Sequence, residues 1–239
     1  RRRSSSAWDY LQKTTFSESD FVANPAYPRK LRNHQDAPEA VSLLMKVLGE
    51  QPDHSVTIIQ VGFFTNLARL LDAPGGRDLV QRKVKLLSMM AGAFPKGKKE
   101  YNVYIDLPAA QKVFAEWPTP IVTSGYEIGD TIRYPAVSIE RDFAYAKHHP
   151  VAEAYRNYMK MPYDRQTWDL TSVLYAVRPD RGYFGLSENG VITTDAEGVT
   201  THTANPAARR QYLTVTPEQR IRVLEALVQL ASQPPGTPR

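Results

Sequence analysis

No cysteine occurs in the 239 residues, which excludes disulfides, thiolate nucleophiles and zinc-thiolate centres together. No apolar run approaches the ~20 residues that a membrane-spanning helix needs. A mean hydropathy of −0.43 is that of an ordinary soluble chain. Neither the glycine-rich dinucleotide fingerprint nor a P-loop is present, and no Ser, His and Asp stand in a supporting local context for a triad. The formal charge is +5 and the pI about 9.3. Basic residues are nevertheless dispersed among acids, without the Lys/Arg stripe of a nucleic-acid binder. Arg1, Arg2 and Arg3, followed by serines, read as a solvated end. The expectation is a soluble protein with neither nucleic acid nor membrane as partner, and a compartment left open between cytoplasm and periplasm.

What is present is a repeated strand-to-helix pattern. Residues 1–35 read as an irregular lead-in, pinned by Trp8, Tyr10, Phe16, Phe21 and Tyr27. Asp36 as cap and Pro38 in the first turn predict a helix that buries Val41, Leu44, Met45 and Leu48 and ends at Gly49. Residues 55–61 form the β-branched run of a strand buried on both faces. Gly62 ends it, residues 63–66 turn, and a helix with Leu67, Leu70 and Leu71 runs to the break at Pro74, Gly75 and Gly76. The unit repeats with a strand at 84–91 and a helix at 108–116 that points Ala109, Val113 and Phe114 inward. It repeats again with a strand at 120–124, then Gly125 and a helical turn around Ile128. Three such units in series predict parallel strands with right-handed crossovers.

Beyond Pro135 the spacing predicts helices at 151–159 and 166–177, and a hairpin pairing 191–194 with 199–202. A last helix from Pro217 to about residue 232 would bury Ile221, Leu224, Leu227 and Leu230, ahead of a disordered tail at 233–239. Glu140, Arg141 and Asp142 read as a solvated turn. His148 and His149 read as a surface loop, since no second ligand falls at metal spacing. The expected fold class is α/β: a Rossmann-like, mostly parallel sheet flanked by helices, with a C-terminal helical region and a small hairpin, forming one domain over residues 1–239.

The chemistry concentrates in residues 100–110, where Glu100, Asn102 and Asp106 interrupt an apolar and aromatic run. In an extended segment Glu100 and Asn102 would project to the same side. A carboxylate beside a carboxamide suits a diol, although on these two residues alone a solvated loop residue and a turn residue are the favoured account. Gly62 would bring backbone close to a ligand at a strand end, with Thr65 or Asn66 capping the helix that follows. Asp169 favours a helix N-terminus, and Trp168 beside it offers a flat surface for a sugar or base.

Taken together, residues 56–68, with Gly-x-x-Thr-Asn-x-Ala from Gly62 to Ala68, residues 90–92, the Glu-x-Asn-x-x-x-Asp element from Glu100 to Asp106, and the pair Trp168 and Asp169 resemble the inosine-uridine preferring nucleoside hydrolase family. The resemblance runs from about residue 37 to 178. It implies a Rossmann-like sheet whose strand ends hold one calcium ion, and hydrolysis of the N-glycosidic bond of a ribonucleoside to ribose and free base. It places the backbone carbonyl of Val61 and the carboxylate of Asp169 among the calcium ligands, and Glu100 and Asn102 on the ribose hydroxyls. A small-molecule nucleoside would be the partner, and family members are often dimers or tetramers.

Three departures accompany the resemblance. The family's Asp-x-Asp-x-x-x-Asp-Asp cluster, which carries the water-activating base, is absent, so the catalytic residues are expected upstream of Arg1. Trp168 stands where many members have His, which removes imidazole activation of the leaving base. Lys96, Lys98 and Lys99 lie where a further ribose-contacting Asn is usual. A ribosyl- or carbohydrate-binding relative without turnover, and an inactive fragment with an exposed sheet edge, remain the alternatives.

Overall fold

The computed structural model describes residues 25–27, 36–95 and 97–236. The expectations for residues 1–24 and 28–35, for Lys96 and for residues 237–239 lie outside that range. Helix α1, Ala40–Gly49, buries Val41 and Leu48 as its periodicity requires. Its cap is Glu39, not Asp36: the Glu39 carboxylate accepts the Ser42 N–H at 2.8 Å. Those N–H bonds hold the Glu39 carboxyl down at about 2.

Strand β1, Val56–Gln60, leads to α2, Thr65–Asp72, and α3, Gly76–Lys83. The last of these begins at the second glycine of a pair that the sequence suggests only as a break. Strand β2, Val84–Met90, is followed by α4, Tyr101–Ile105, and α5, Leu107–Glu116. Strand β3, Ile121–Ser124, leads to α6, Tyr126–Thr131. Strands β1, β2 and β3 are parallel neighbours, as expected. Among the described residues β1 stands at the sheet edge, and Ile59 is 37% and Val61 43% exposed, so the expectation of burial on both faces is corrected. An apolar run reports that a strand has an inner face, not how many neighbours it has.

Next come β4, Arg133–Tyr134, α7, Ala136–Arg141, α8, Pro150–Tyr158, and β5, Arg165–Gln166. Glu140 and Arg141 are therefore helical rather than part of a solvated turn. Helix α9, Trp168–Val177, precedes β6, Gly185–Leu186, and the antiparallel hairpin of β7, Gly190–Thr194, with β8, Thr200–Ala204. Strand β9, Arg210–Thr214, then inserts parallel to β3, and α10, Pro217–Ser232, closes the chain. The main sheet runs β1-β2-β3-β9-β7-β8, with β6 on β9.

One core unites α1, α2, α3 and α5 with β2 and β3. A second, on the other face, gathers Val122, Leu174, Leu213, Val223 and Leu227 from β3, α9, β9 and α10. Helices thus cover both faces of a mostly parallel sheet. In α10 the buried residues are Val223, Ala226 and Leu227, while Ile221 is 64% and Leu230 38% exposed. The helix is rotated from the orientation its leucines alone suggest, because Val223 packs fully against the sheet.

Strand β9 gives little warning of itself, since Arg210 and Gln211 are polar residues in mid-sheet. Arg210 is accommodated by three carbonyls at and just beyond the end of α5. Its guanidinium donates to Phe114 O at 3.1 Å, Thr119 O at 3.2 Å and Trp117 O at 2.6 Å. A cation on the last carbonyls of a helix is favoured by the dipole. Burial lowers the Arg210 pKa to about 10.

Candidate active site

The parallel strands β1, β2 and β3 end side by side, and the candidate residues follow those ends. Gln60 pairs with Met89, so Val61 and Met90 are the next residues out on adjacent strands. Gly62, just beyond, would accept a Cβ with nothing within 4 Å, so protein packing does not require glycine there.

Glu100 is not part of an extended segment; it caps α4. Its Oε1 accepts the Asn102 N–H at 3.0 Å, and its Oε2 accepts those of Val103 at 3.2 Å and Gly92 at 3.1 Å. Asn102, at the second position of that helix, donates from Nδ2 to Met90 O at 3.0 Å. The two side chains do come together, but through a helix cap anchored to the strand end rather than through strand alternation. Gly92 makes this possible with φ of 74°, and a Cβ there would lie 3.0 Å from the Phe94 ring and from Thr200 Oγ1.

Glu100 is 3% exposed and Asn102 8%. Burial pushes the Glu100 carboxyl up, its backbone hydrogen bonds oppose that shift, and the nearby charge of Asp169 adds to it. Asp169 lies on α9, which hydrogen bonds fix against the strands. Ser124 Oγ at the end of β3 lies 2.6 Å from Thr171 Oγ1, and Ser88 Oγ donates to Ser172 O at 2.9 Å. Helix α9 is thereby fixed with Asp169 in its first turn. Asp169 is solvent-accessible, yet the protein around its carboxyl pushes its pKa up against the opposing charge of Arg165.

Trp168 is half-buried. Its indole N–H donates to Tyr126 O at 3.1 Å, its ring packs on Tyr126 with centroids 5.4 Å apart, and Gly129 lies against its backbone. With Asp169 and Arg165 it borders a cavity of about 290 Å³ walled by Tyr134, Phe143 and Tyr155. Lys98 places its ammonium 3.5 Å from the Tyr126 ring centre, and Lys99 is 4.2 Å from that of Tyr104.

Thr65 and Asp106, both in the motifs, act on each other. The Thr65 hydroxyl donates to the Asp106 carboxylate across 41 residues, which clasps the starts of α2 and α5. Neither Thr65 nor Asn66 caps α2, whose N-cap is Phe64. The long separation hid this pair from local reading. His148 bonds Glu153 at 2.9 Å, and among the described residues no group of three His, Cys, Asp or Glu could hold a metal.

An open α/β sheet with carboxylate, carboxamide and carbonyl oxygens beyond its parallel strand ends belongs to the class that binds ligands in that crevice. The chain is a member of the inosine-uridine preferring nucleoside hydrolase family, whose family model matches residues 9–229. It is 34% identical over 106 residues to the pyrimidine-specific ribonucleoside hydrolase RihA of Citrobacter koseri, a match covering 43% of this chain and 32% of that protein. The matched part thus spans about a third of the curated relative's length.

Among solved structures, the plant nucleoside hydrolase PpNRh1 superposes with a TM-score of 0.69 at 18% identity, covering 88% of this chain and 72% of that one. The inosine-uridine preferring nucleoside hydrolase of Bacillus anthracis superposes at 0.61 with 18% identity, covering 81% and 66%. These likenesses show the fold. No helix among the described residues is long and apolar enough to cross a membrane.

Proposed function

We propose that this chain carries the ribose-binding part of a ribonucleoside N-glycosidase that releases ribose and free base. The observation that carries this reading is the pair Glu100 and Asn102, anchored to the end of β2 within electrostatic reach of Asp169. Glu100 Oε1 accepts one backbone N–H and has capacity for a hydroxyl donor, while Asn102 keeps its Oδ1 as an acceptor. A vicinal diol presents the complementary set. Hydrogen bonds to ring hydroxyls that tighten as the sugar becomes oxocarbenium-like lower the barrier, because they are stronger in the transition state than in the ground state.

Calcium takes six to eight oxygen ligands. The Val61 carbonyl and the Asp169 carboxylate fit such a cation in kind, and they would be the residues of this chain that hold it, alongside further oxygen donors. When bound, the ion lowers the pKa of a coordinated water. Trp168 has its one N–H committed to the Tyr126 carbonyl, so it supplies no proton to a departing base.

The test is ribose release from uridine, cytidine and inosine, with calcium or with a chelator. Asn102→Ala is expected to lower kcat/KM roughly 100-fold or more, the scale of losing one polar contact made to the transition state. A second reading, a ribose binder without turnover, is favoured by Trp168, whose one N–H is held by the Tyr126 carbonyl. Calorimetric titration with ribose separates the two. Absence of both release and binding overturns both readings.

A further inference from the structure

Two cations stand unused beside the ribose grip: Lys98 and Lys99, the residues just before Glu100. Among the described residues neither forms an ion pair. Glu100 does not neutralise them, because its carboxylate is committed to three backbone N–H groups. Each ammonium instead rests on an aromatic ring, Lys98 at 3.5 Å from the Tyr126 ring centre and Lys99 at 4.2 Å from that of Tyr104. At an exposed site such a contact is weak, so an anion can draw the ammonium to itself.

The backbone that carries the two lysines is held in place. Lys99 pairs with Val199 in an antiparallel bridge, and a Cβ on Gly97 would collide with the Thr200 carbonyl. Ala93 N–H donates to Thr200 Oγ1 at 3.0 Å, and that hydroxyl lies 3.2 Å from Ala93 O. The β7–β8 hairpin thus fastens this loop on both sides. Tyr126, under Lys98, is itself part of the site: its N–H donates to Gly92 O at 2.8 Å, and its carbonyl accepts the Trp168 indole N–H. Gly92 in turn donates to Glu100. Lys98 therefore stands over the ring that joins the Glu100 anchor to Trp168.

We propose that Lys98 and Lys99 bind a phosphate carried on the ribose, so that ribonucleoside 5′-monophosphates are substrates in preference to nucleosides; this rests on the ribosyl N-glycosidase reading. With the vicinal diol on Glu100 and Asn102, the 5′ oxygen is the ribose hydroxyl position outside that pair. A phosphate ester there carries about −1.5 to −2 charges at pH 7, which matches two ammoniums. Lysine pairs with phosphate as a point charge, whereas an uncharged nucleoside gives these ammoniums nothing to pair with. Hydrolysis then yields ribose 5-phosphate and free base. The oxygen of water joins C1′ as the C1′–N bond breaks, a proton passes to the base, and the phosphate ester is untouched.

The test is calorimetric titration of the full chain with ribose 5-phosphate and with ribose in one buffer. The wild type is expected to bind the ester roughly tenfold or more tightly than ribose, by a margin that shrinks as salt screens the charges. Lys98→Met combined with Lys99→Met should abolish that margin; both side chains are exposed, and circular dichroism confirms the fold. Asn102→Ala should weaken both ligands, because the ribosyl part is common to them. Equal affinity for the two ligands in the wild type would overturn the proposal and leave the ribose grip standing. So would a margin that survives in the double variant, or ester binding that ignores Asn102→Ala, the mark of phosphate adhering to surface lysines alone. Binding of neither ligand would overturn the ribose grip and this proposal with it.

Discussion

Glu100 shows how one side chain can serve both fold and site. Its carboxylate satisfies two orphan N–H groups of α4 and the Gly92 N–H, yet it is buried beside another carboxylate, and the net effect raises its pKa. A carboxyl whose folded pKa lies above the unfolded value of about 4.3 adds stability below that value and loses it as pH rises through the folded pKa. In the presence of a chelator, the melting temperature of the wild type should therefore fall relative to Glu100→Gln as the pH rises above the unfolded value of about 4.3. The lost acceptor offsets the two curves by a constant, and only the ionisation tilts them. Parallel scanning-calorimetry curves across that range would rule the assignment out. The sequence marked Glu100 and Asn102 as a pair, but it could not show that a cap joins them, because capping depends on a helix only five residues long that has too few turns to display a period.

At the scale of elements, the Thr65 and Asp106 clasp joins the two helices that follow β1 and β2, so the two family motifs meet in one hydrogen bond. Thr65→Val removes a donor from a carboxylate and should cost about 1.5–3 kcal/mol, read as a lower urea midpoint with an unchanged slope. Asp106→Asn keeps an acceptor and should cost less. A wild-type midpoint for Thr65→Val would mean that the bond contributes nothing. The hairpin of β7 with β8 and the start of α10 at Pro217 were legible because their signals are local: a glycine-containing loop, and a proline at the first helical position. Strand β9 was not legible, since the carbonyls that make Arg210 tolerable there come from residues 91 to 96 positions away.

For the whole molecule, the order of the strands decides what is exposed. Among the described residues β1 pairs only with β2, leaving backbone groups and Ile59 at an open edge, a template for association. Ile59→Lys should reduce concentration-dependent light scattering without lowering the melting temperature by more than a degree or two, since the side chain is already at the surface. Unchanged scattering would show that the edge does not mediate association. The sequence by itself determined the parallel β1, β2 and β3 core, because β-branched runs followed by helical periods can be buried in few other ways. It also determined which polar residues interrupt that pattern. Only the tertiary structure decided that β9 enters between β3 and β7, that α10 turns Val223 rather than Ile221 inward, and that Glu100 and Asp169 share one electrostatic environment. Those outcomes depend on contacts between residues tens of positions apart, and no window along the chain contains both partners.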